Sequence, residues 1–170
     1  MPKTLIQQRP FITRPEHIQG VSPFIAQILA RRGVQSEQEI ELKLKHLLAP
    51  NMKGLEQAIQ IMDQAIDQNK KIVIVGDYDA DGATSTALMV LALRDMGANV
   101  EYLVPDRFKY GYGLTPKIAD LAFSRYQPDL LITVDNGISS HAGVEQAQAH
   151  GMQVIITDHH LTTKETPTAE

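Results

Sequence analysis

With 170 residues, 43% of them hydrophobic, and no cysteine, the chain can bury a substantial core but can form no disulfide, thiolate metal site or thiol nucleophile. Its formal net charge of −4 is unevenly spread: residues 1–50 hold seven Lys/Arg against four Asp/Glu, and residues 51–170 hold nine against sixteen. Bulk charge therefore argues for no polyanionic partner; no apolar run is long enough to span a membrane and no signal peptide is visible, so a cytoplasmic protein without membrane attachment is expected.

Residues 1–20, with scattered Pro, Gln and Arg and no period, read as an N-terminal arm, and 21–70 as a helical lead-in. Ser22-Pro23 supplies an N-cap and a proline at the first helical position, and Gly33 a stop. Ser36-Glu37-Gln38-Glu39 has the form of a capping box. It predicts a helix to about Leu48 with Ile40, Leu44, Leu47 and Leu48 on one face and Pro50 at its end. Leu55, Ile59, Met62 and Ile66 predict another over 54–69.

From Lys71 the rhythm becomes strand–helix alternation, and 71–160 read as an α/β core. Ile72-Val73-Ile74-Val75 predicts a strand buried on both faces, as in a parallel sheet. It ends at Gly76, releases Asp77, Asp79 and Asp81 at alternate positions, and leads through Gly82 into a helix over 83–93. Residues 99–104 predict a more polar, edge-like strand, followed by the loop 105–113, which interleaves Arg107, Phe108, Lys109 and Tyr110. Thr115-Pro116 opens a helix to about Tyr126. Leu130 to Val134 predicts a third strand, running into Asp135-Asn136-Gly137; a helix through His150 follows, with Gly151 as its stop. Residues 152–157 predict a fourth strand, ending in Asp158-His159-His160, and 161–170 read as a loop or tail.

Parallel strands joined by right-handed crossovers place their C-termini on one rim. With the edge-like strand outside, the order is 2-1-3-4, a Rossmann-like sheet whose acidic strand ends are neighbours at the ligand-binding crevice. Three carboxylates within five residues repel one another, and a divalent cation would hold them together. Asp77 to Gly82 also fits the start of an EF-hand loop, but the twelfth position is Leu88 and a strand precedes it. Asp79-Ala80-Asp81 resembles the motif of an aspartyl-nucleophile phosphatase, and capping aspartates would explain one acid but not three in alternation. Asp135-Asn136-Gly137 alone is ordinary turn chemistry. Asp158-His159-His160 offers imidazole ligands with a carboxylate to fix a tautomer, against the reading of a solvated loop. In the loop, cations could track phosphates while rings stack on bases, against the reading of a mobile edge loop. Thr84, Ser85 and Thr86 open the helix after the carboxylates, suiting a phosphate or simply capping. His17, His46, His141 and His150 fall off the rim.

Asp77 to Gly82, Val134 to Gly137 and Asp158 to His160 together resemble the first three motifs of the DHH phosphoesterase superfamily. Pro105 to Phe108 with Gly111 to Leu114, and the helical segment 47–65, resemble its single-strand-specific DNA exonuclease branch. The resemblance implies a two-metal site using Mn2+ or Mg2+ and 5′→3′ hydrolysis of single-stranded DNA in repair and recombination. It implies that Asp79, Asp81, Asp135 and His159 bind metal, with Asp135 bridging, and that His160 faces the scissile phosphate. Asp77 and Asp158 would hold these groups in place, and Ser85, Arg107, Lys109, Tyr110 and Asn136 would contact phosphate or nucleic acid. It further implies a monomer, with a single-strand-binding protein and a recombination helicase as partners. Two departures stand out. Many family members carry a histidine where Val75 stands, and the family's fourth-motif aspartate and closing domain lie beyond Glu170. The expectation is an N-terminal part of such an enzyme, inactive by itself. The alternatives are a phosphoesterase acting on short oligonucleotides or cyclic dinucleotides, and a non-catalytic module binding nucleic acid or a partner.

Overall fold

The computed structural model describes residues 7–47, 49, 51–162 and 165–169. The chain forms two compact units, 1–51 and 52–170.

In the N-terminal unit, helix α1 (Pro23–Arg31) begins where Ser22 Oγ accepts from the Ile25 N–H at 3.4 Å, with Pro23 at its first position. It buries only a narrow face: Ala26 and Ala30, with Ile18, form a small cluster supported by Val21, Leu29, Val34 and Ile40. The helix predicted from Ser36 is replaced by two short 3-10 turns, Glu37–Ile40 and Leu44–His46. Ser36 makes no capping bond; Glu39 Oε1 instead accepts from the Gln35 N–H at 2.9 Å. Leu42, Leu44 and Leu47 are 99%, 85% and 74% exposed, so this stretch has little packing to offset helix nucleation. Leu48 and Pro50 lie outside the described residues.

The second unit is a four-stranded parallel sheet between helices. Its elements are α2 (Leu55–Asp67), β1 (Lys71–Val75), α3 (Ala80–Asp95), β2 (Asn99–Leu103), α4 (Arg107–Tyr110), α5 (Pro116–Tyr126), β3 (Leu130–Val134), α6 (His141–Ala149) and β4 (Gln153–Thr157). The strand order is β2-β1-β3-β4, as the alternation and the polar second strand predict. Ile72 and Ile74 pack with Val90 and Leu93 of α3, while Val73 and Val75 pack on the α5–α6 side with Ile118 and Val144. All four are essentially inaccessible, and each contributes about 1.5–3 kcal/mol by the transfer scale. Two glycines are required by the local geometry. A Cβ on Gly143 would meet the Leu114 carbonyl oxygen at 1.8 Å, so α6 can lie there only with glycine. Gly137, at φ +113°, turns the chain off β3 toward α6.

Helix α2, at the end of the helical lead-in, packs on the sheet: Ala58, Ile61, Met62, Ala65 and Ile66 face the core. Ile59, expected on that face, is 43% exposed. The loop after β2 contains the short α4, because Asp106 Oδ1 accepts from the Phe108 N–H at 2.9 Å and caps a single turn. The tail is not loose where it is described. Pro167 is buried, the Thr168 carbonyl accepts from Gln148 Nε2 at 3.0 Å, and Ala169 packs against the α5–α6 core. Among the described residues, no helix is long and apolar enough to cross a membrane.

Candidate metal centre

The strand ends finish level. Val75 pairs with Thr133, and Val134 with Thr157, so the residues after β1, β3 and β4 emerge on one rim. The Asp135 N–H bonds the Thr157 carbonyl at 3.0 Å, carrying the β3–β4 ladder one residue past the strand. Asp135 then adopts φ +62°, a left-handed conformation that Asp accepts more readily than most residues. Its side chain is 7% exposed, and its Oδ1 lies 2.9 Å from Nε2 of the largely exposed His159.

Asp158 sits just behind this pair, with a 3% exposed side chain. Its Oδ2 accepts from the Ile138 N–H at 2.9 Å, and its Oδ1 accepts from the His160 N–H at 3.0 Å and lies 2.7 Å from His160 Nδ1. Burial alone would raise the Asp158 pKa, but the bonds from His160 and Ile138 outweigh it and bring it below the usual carboxylate range. The same contact raises the His160 pKa, with Asp135 and Asp79 adding smaller pulls. With Nδ1 held by Asp158, Nε2 of His160 is the nitrogen left to bind a ligand. Asp135, His159 and His160 each place one coordinating atom within 4.8 Å of the others. A carboxylate and two imidazoles at that spacing suit one divalent transition ion.

The first motif is arranged differently. Helix α3 starts at Ala80, earlier than its apolar pattern predicts, because Asp79 Oδ1 accepts from the Gly82 N–H at 3.0 Å and caps it. Asp81 is therefore carried on the first helical turn, exposed, and not on a strand-like alternation. Asp79 Oδ2 lies 3.9 Å from Arg107. Asp77 is 7% exposed, accepts from the Tyr78 N–H at 2.8 Å, and forms an ion pair with Arg107. That pair holds the Asp77 carboxyl below its ordinary range against the cost of burial. A Cβ on Gly82 would meet the Asp77 carbonyl oxygen at 2.5 Å, so the glycine lets the helix close over Asp77. Among the described residues, the metal-capable cluster comprises Asp135, His159 and His160, and Asp79 and Asp81 stand outside it.

The other expected contact residues fall into two groups. Arg107 lies at the rim, its guanidinium 4.3 Å from the Tyr78 ring and 5.2 Å from the Tyr112 ring. Lys109 sits over Tyr110 at 4.9 Å. Three residues have other duties. Tyr110 packs against the α5–α6 core, and the Ser85 hydroxyl donates to the Asp81 carbonyl of its own helix at 2.7 Å. Asn136 is only 2% exposed, and its Nδ2 donates to the carbonyls of Val75 at 3.1 Å and Val134 at 2.9 Å, bonding β1 to β3. Its Nδ2 is thus engaged within the sheet, while its buried Oδ1 has no protein partner among the described residues.

Tyr112 is a rim residue the sequence did not single out. Its ring meets His160 edge-on at 6.1 Å, and burial followed by the charges of Asp158, Asp77 and Asp135 pushes its phenol pKa up. In the sequence it falls within the aromatic and basic loop 105–113, between Gly111 and Gly113, which both adopt positive φ. Off the rim, His150 pairs with Asp120 at 2.7 Å and stacks on Phe123, and His141 lies 2.9 Å from the Glu165 carbonyl.

A parallel sheet whose strand ends carry Asp77/Asp79/Asp81, Asp135 and Asp158-His159-His160 has the motif arrangement of the DHH family. The description "DHH family, N-terminal domain" is matched over residues 71–170, and the chain belongs to that family. It is 51% identical over 150 residues to the single-stranded-DNA-specific exonuclease RecJ of Escherichia coli K12, covering 87% of this chain and 26% of that protein. It is 47% identical over 169 residues to the RecJ of Dickeya dadantii, covering 98% of this chain and 29% of that one. The crystal structure of exonuclease RecJ bound to manganese superposes with a TM-score of 0.66 at 39% identity, over 72% of this chain and 32% of that chain. RecJ from Thermus thermophilus in complex with Mn2+ gives 0.62 at 34%, over 88% and 21%. The chain thus spans little more than a quarter of the length of these two curated relatives.

Proposed function

We propose that these residues form the N-terminal part of a metal-dependent exonuclease of the RecJ type, which digests single-stranded DNA in the 5′→3′ direction. The observation carrying this reading is the convergence of Asp135, His159 and His160 at neighbouring strand ends, with Asp158 fixing His160 from behind. These three would hold one manganese ion, and Asp79 and Asp81 would contribute to a second. When bound, such ions polarise phosphoryl oxygens and lower the pKa of water.

The chain's own residues shape the site around them. Asp158 keeps His160 in one tautomer, Asp77 holds Arg107 at the rim for a phosphate, and Tyr112 borders His160. Backbone charge and stacking, in place of base-edge hydrogen bonds, make recognition sequence-tolerant. Turnover by the 170 residues alone is expected to be slow, since Asp79 and Asp81 stand outside the cluster. A cytoplasmic, monomeric protein working with a single-strand-binding protein and a recombination helicase completes the proposal.

The test is calorimetric Mn2+ titration of the chain and its Asp135→Ala variant, paired with hydrolysis of 5′-labelled single strands, duplexes and dinucleotides. Binding lost in the variant, with preference for long single strands, supports the reading. Equal heats, or preference for dinucleotides, overturns it.

A further inference from the structure

The metal rim lies wholly in the second unit, yet the N-terminal unit carries a built groove of its own. Gln8, Arg9, Phe24, Gln27, Ile28, Arg31 and Arg32 line about 420 Å3 between α1 and the extended segment before it. Among the described residues, the lining holds three arginines and no carboxylate. Phe24 and Ile28 sit one turn apart on α1 and are 70% and 39% exposed, so the helix leaves its larger apolar residues uncovered and buries its alanines. Arg31 fixes the wall: its guanidinium lies 4.0 Å from the centre of the Phe11 ring and donates to the Arg9 carbonyl. Phe11 is itself 47% exposed and lines an adjoining groove that shares Gln27 and Arg31 with the first. Residues 7–34 hold Arg9, Arg14, Arg31 and Arg32 against Glu16, a sign opposite to that of the rest of the chain.

An exposed ring among arginines is what a single strand needs: a flat face for a base and cations for its phosphates. An acidic peptide would use the cations but has no need of the exposed Phe24 ring beside them. Resting on the single-strand reading above, we infer that this groove is an accessory single-stranded-DNA site. A base stacks on Phe24, and Arg9 and Arg32 meet the backbone. Arg31, held by Phe11 and the Arg9 carbonyl, keeps the groove open.

The experiment is fluorescence anisotropy of a labelled oligothymidylate with the full chain in EDTA, over a range of salt. The exposed positions allow Phe24→Ala and Arg32→Gln without loss of core. Phe24→Ala should weaken binding about tenfold. Arg32→Gln should weaken it and lower the slope of log K against log salt by about 0.7. Unchanged affinity and slope in both variants would overturn the inference, as would competition by polyglutamate as effective as unlabelled oligothymidylate. Manganese binding at Asp135 is read separately, so its failure would sink the nuclease reading while leaving the groove's DNA binding on its own footing.

Discussion

Nδ1 of His160 lies 2.7 Å from Oδ1 of Asp158, and the carboxylate that makes this contact is almost wholly buried. This geometry makes Asp158 the residue that decides which nitrogen of His160 can bind a ligand. Asp158→Asn removes the charge but keeps the shape. It should weaken Mn2+ binding about 10–100-fold, in line with the loss of a carboxylate behind a metal-binding imidazole. Calorimetry at fixed pH checks this, with circular dichroism showing that the variant is folded.

The same contact sets a pH dependence. His160 has a folded pKa raised above its ordinary 6.5, by Asp158 first. The sign follows: the stabilisation from this pair is full below 6.5 and disappears as pH rises through the raised value. Metal binding needs the neutral ring, so protons compete with it above 6.5 as well. Mn2+ affinity should therefore keep climbing as pH rises past 6.5, and should level off earlier in Asp158→Asn. An NMR titration of the His160 ring should place its midpoint higher in the wild type than in the variant.

Asp77 gives the opposite sign. Arg107 holds its pKa below the ordinary 3.8, so its stabilisation is present above 3.8 and is lost as pH falls through the lower folded value. Asp77→Asn should cost about 1–3 kcal/mol at pH 7, since Asp77 is buried while Arg107 stays partly exposed. The urea midpoint of the wild type should drop more steeply than that of the variant between pH 4 and pH 2.

Asn136→Ala tests whether that side chain is a strut. It would leave the Val75 and Val134 carbonyls without their amide donor, costing about 1–3 kcal/mol. Thermal melting should show the loss. A variant with unchanged stability would remove Asn136 from the framework of the rim.

Saturating Mn2+ should raise the melting temperature, since a ligand at 100 times its Kd adds about 2.7 kcal/mol to the folded state. Asp135→Ala should abolish that shift, and chelator should reverse it in the wild type.

Much of this architecture was legible because burial on both faces writes itself into a strand. Ile72 to Val75 and Leu130 to Val134 are uninterrupted apolar runs, and the polar Glu101 and Tyr102 mark the strand that closes the sheet. What escaped was set by single side-chain contacts. The Asp79 cap moves the start of α3 forward and lifts Asp81 onto the helix, and the Asp106 cap makes α4 from a loop. The stretch after Ser36 carries every local sign of a helix but leaves Leu42, Leu44 and Leu47 exposed, and a capping motif alone does not make one. Tyr112 and the Asp77–Arg107 pair join residues 30 or more positions apart in no periodic relation, so no pattern announces them.

The backbone at Asp135 separates what folding asks of that position from what chemistry asks. A φ of +62° is cheap for glycine or asparagine and expensive for a β-branched side chain. A deep mutational scan scored for abundance should accept Gly and Asn there and reject Val, Ile and Thr. Scored for metal capture, the same library should retain aspartate alone, so the two readouts would part company at a single codon.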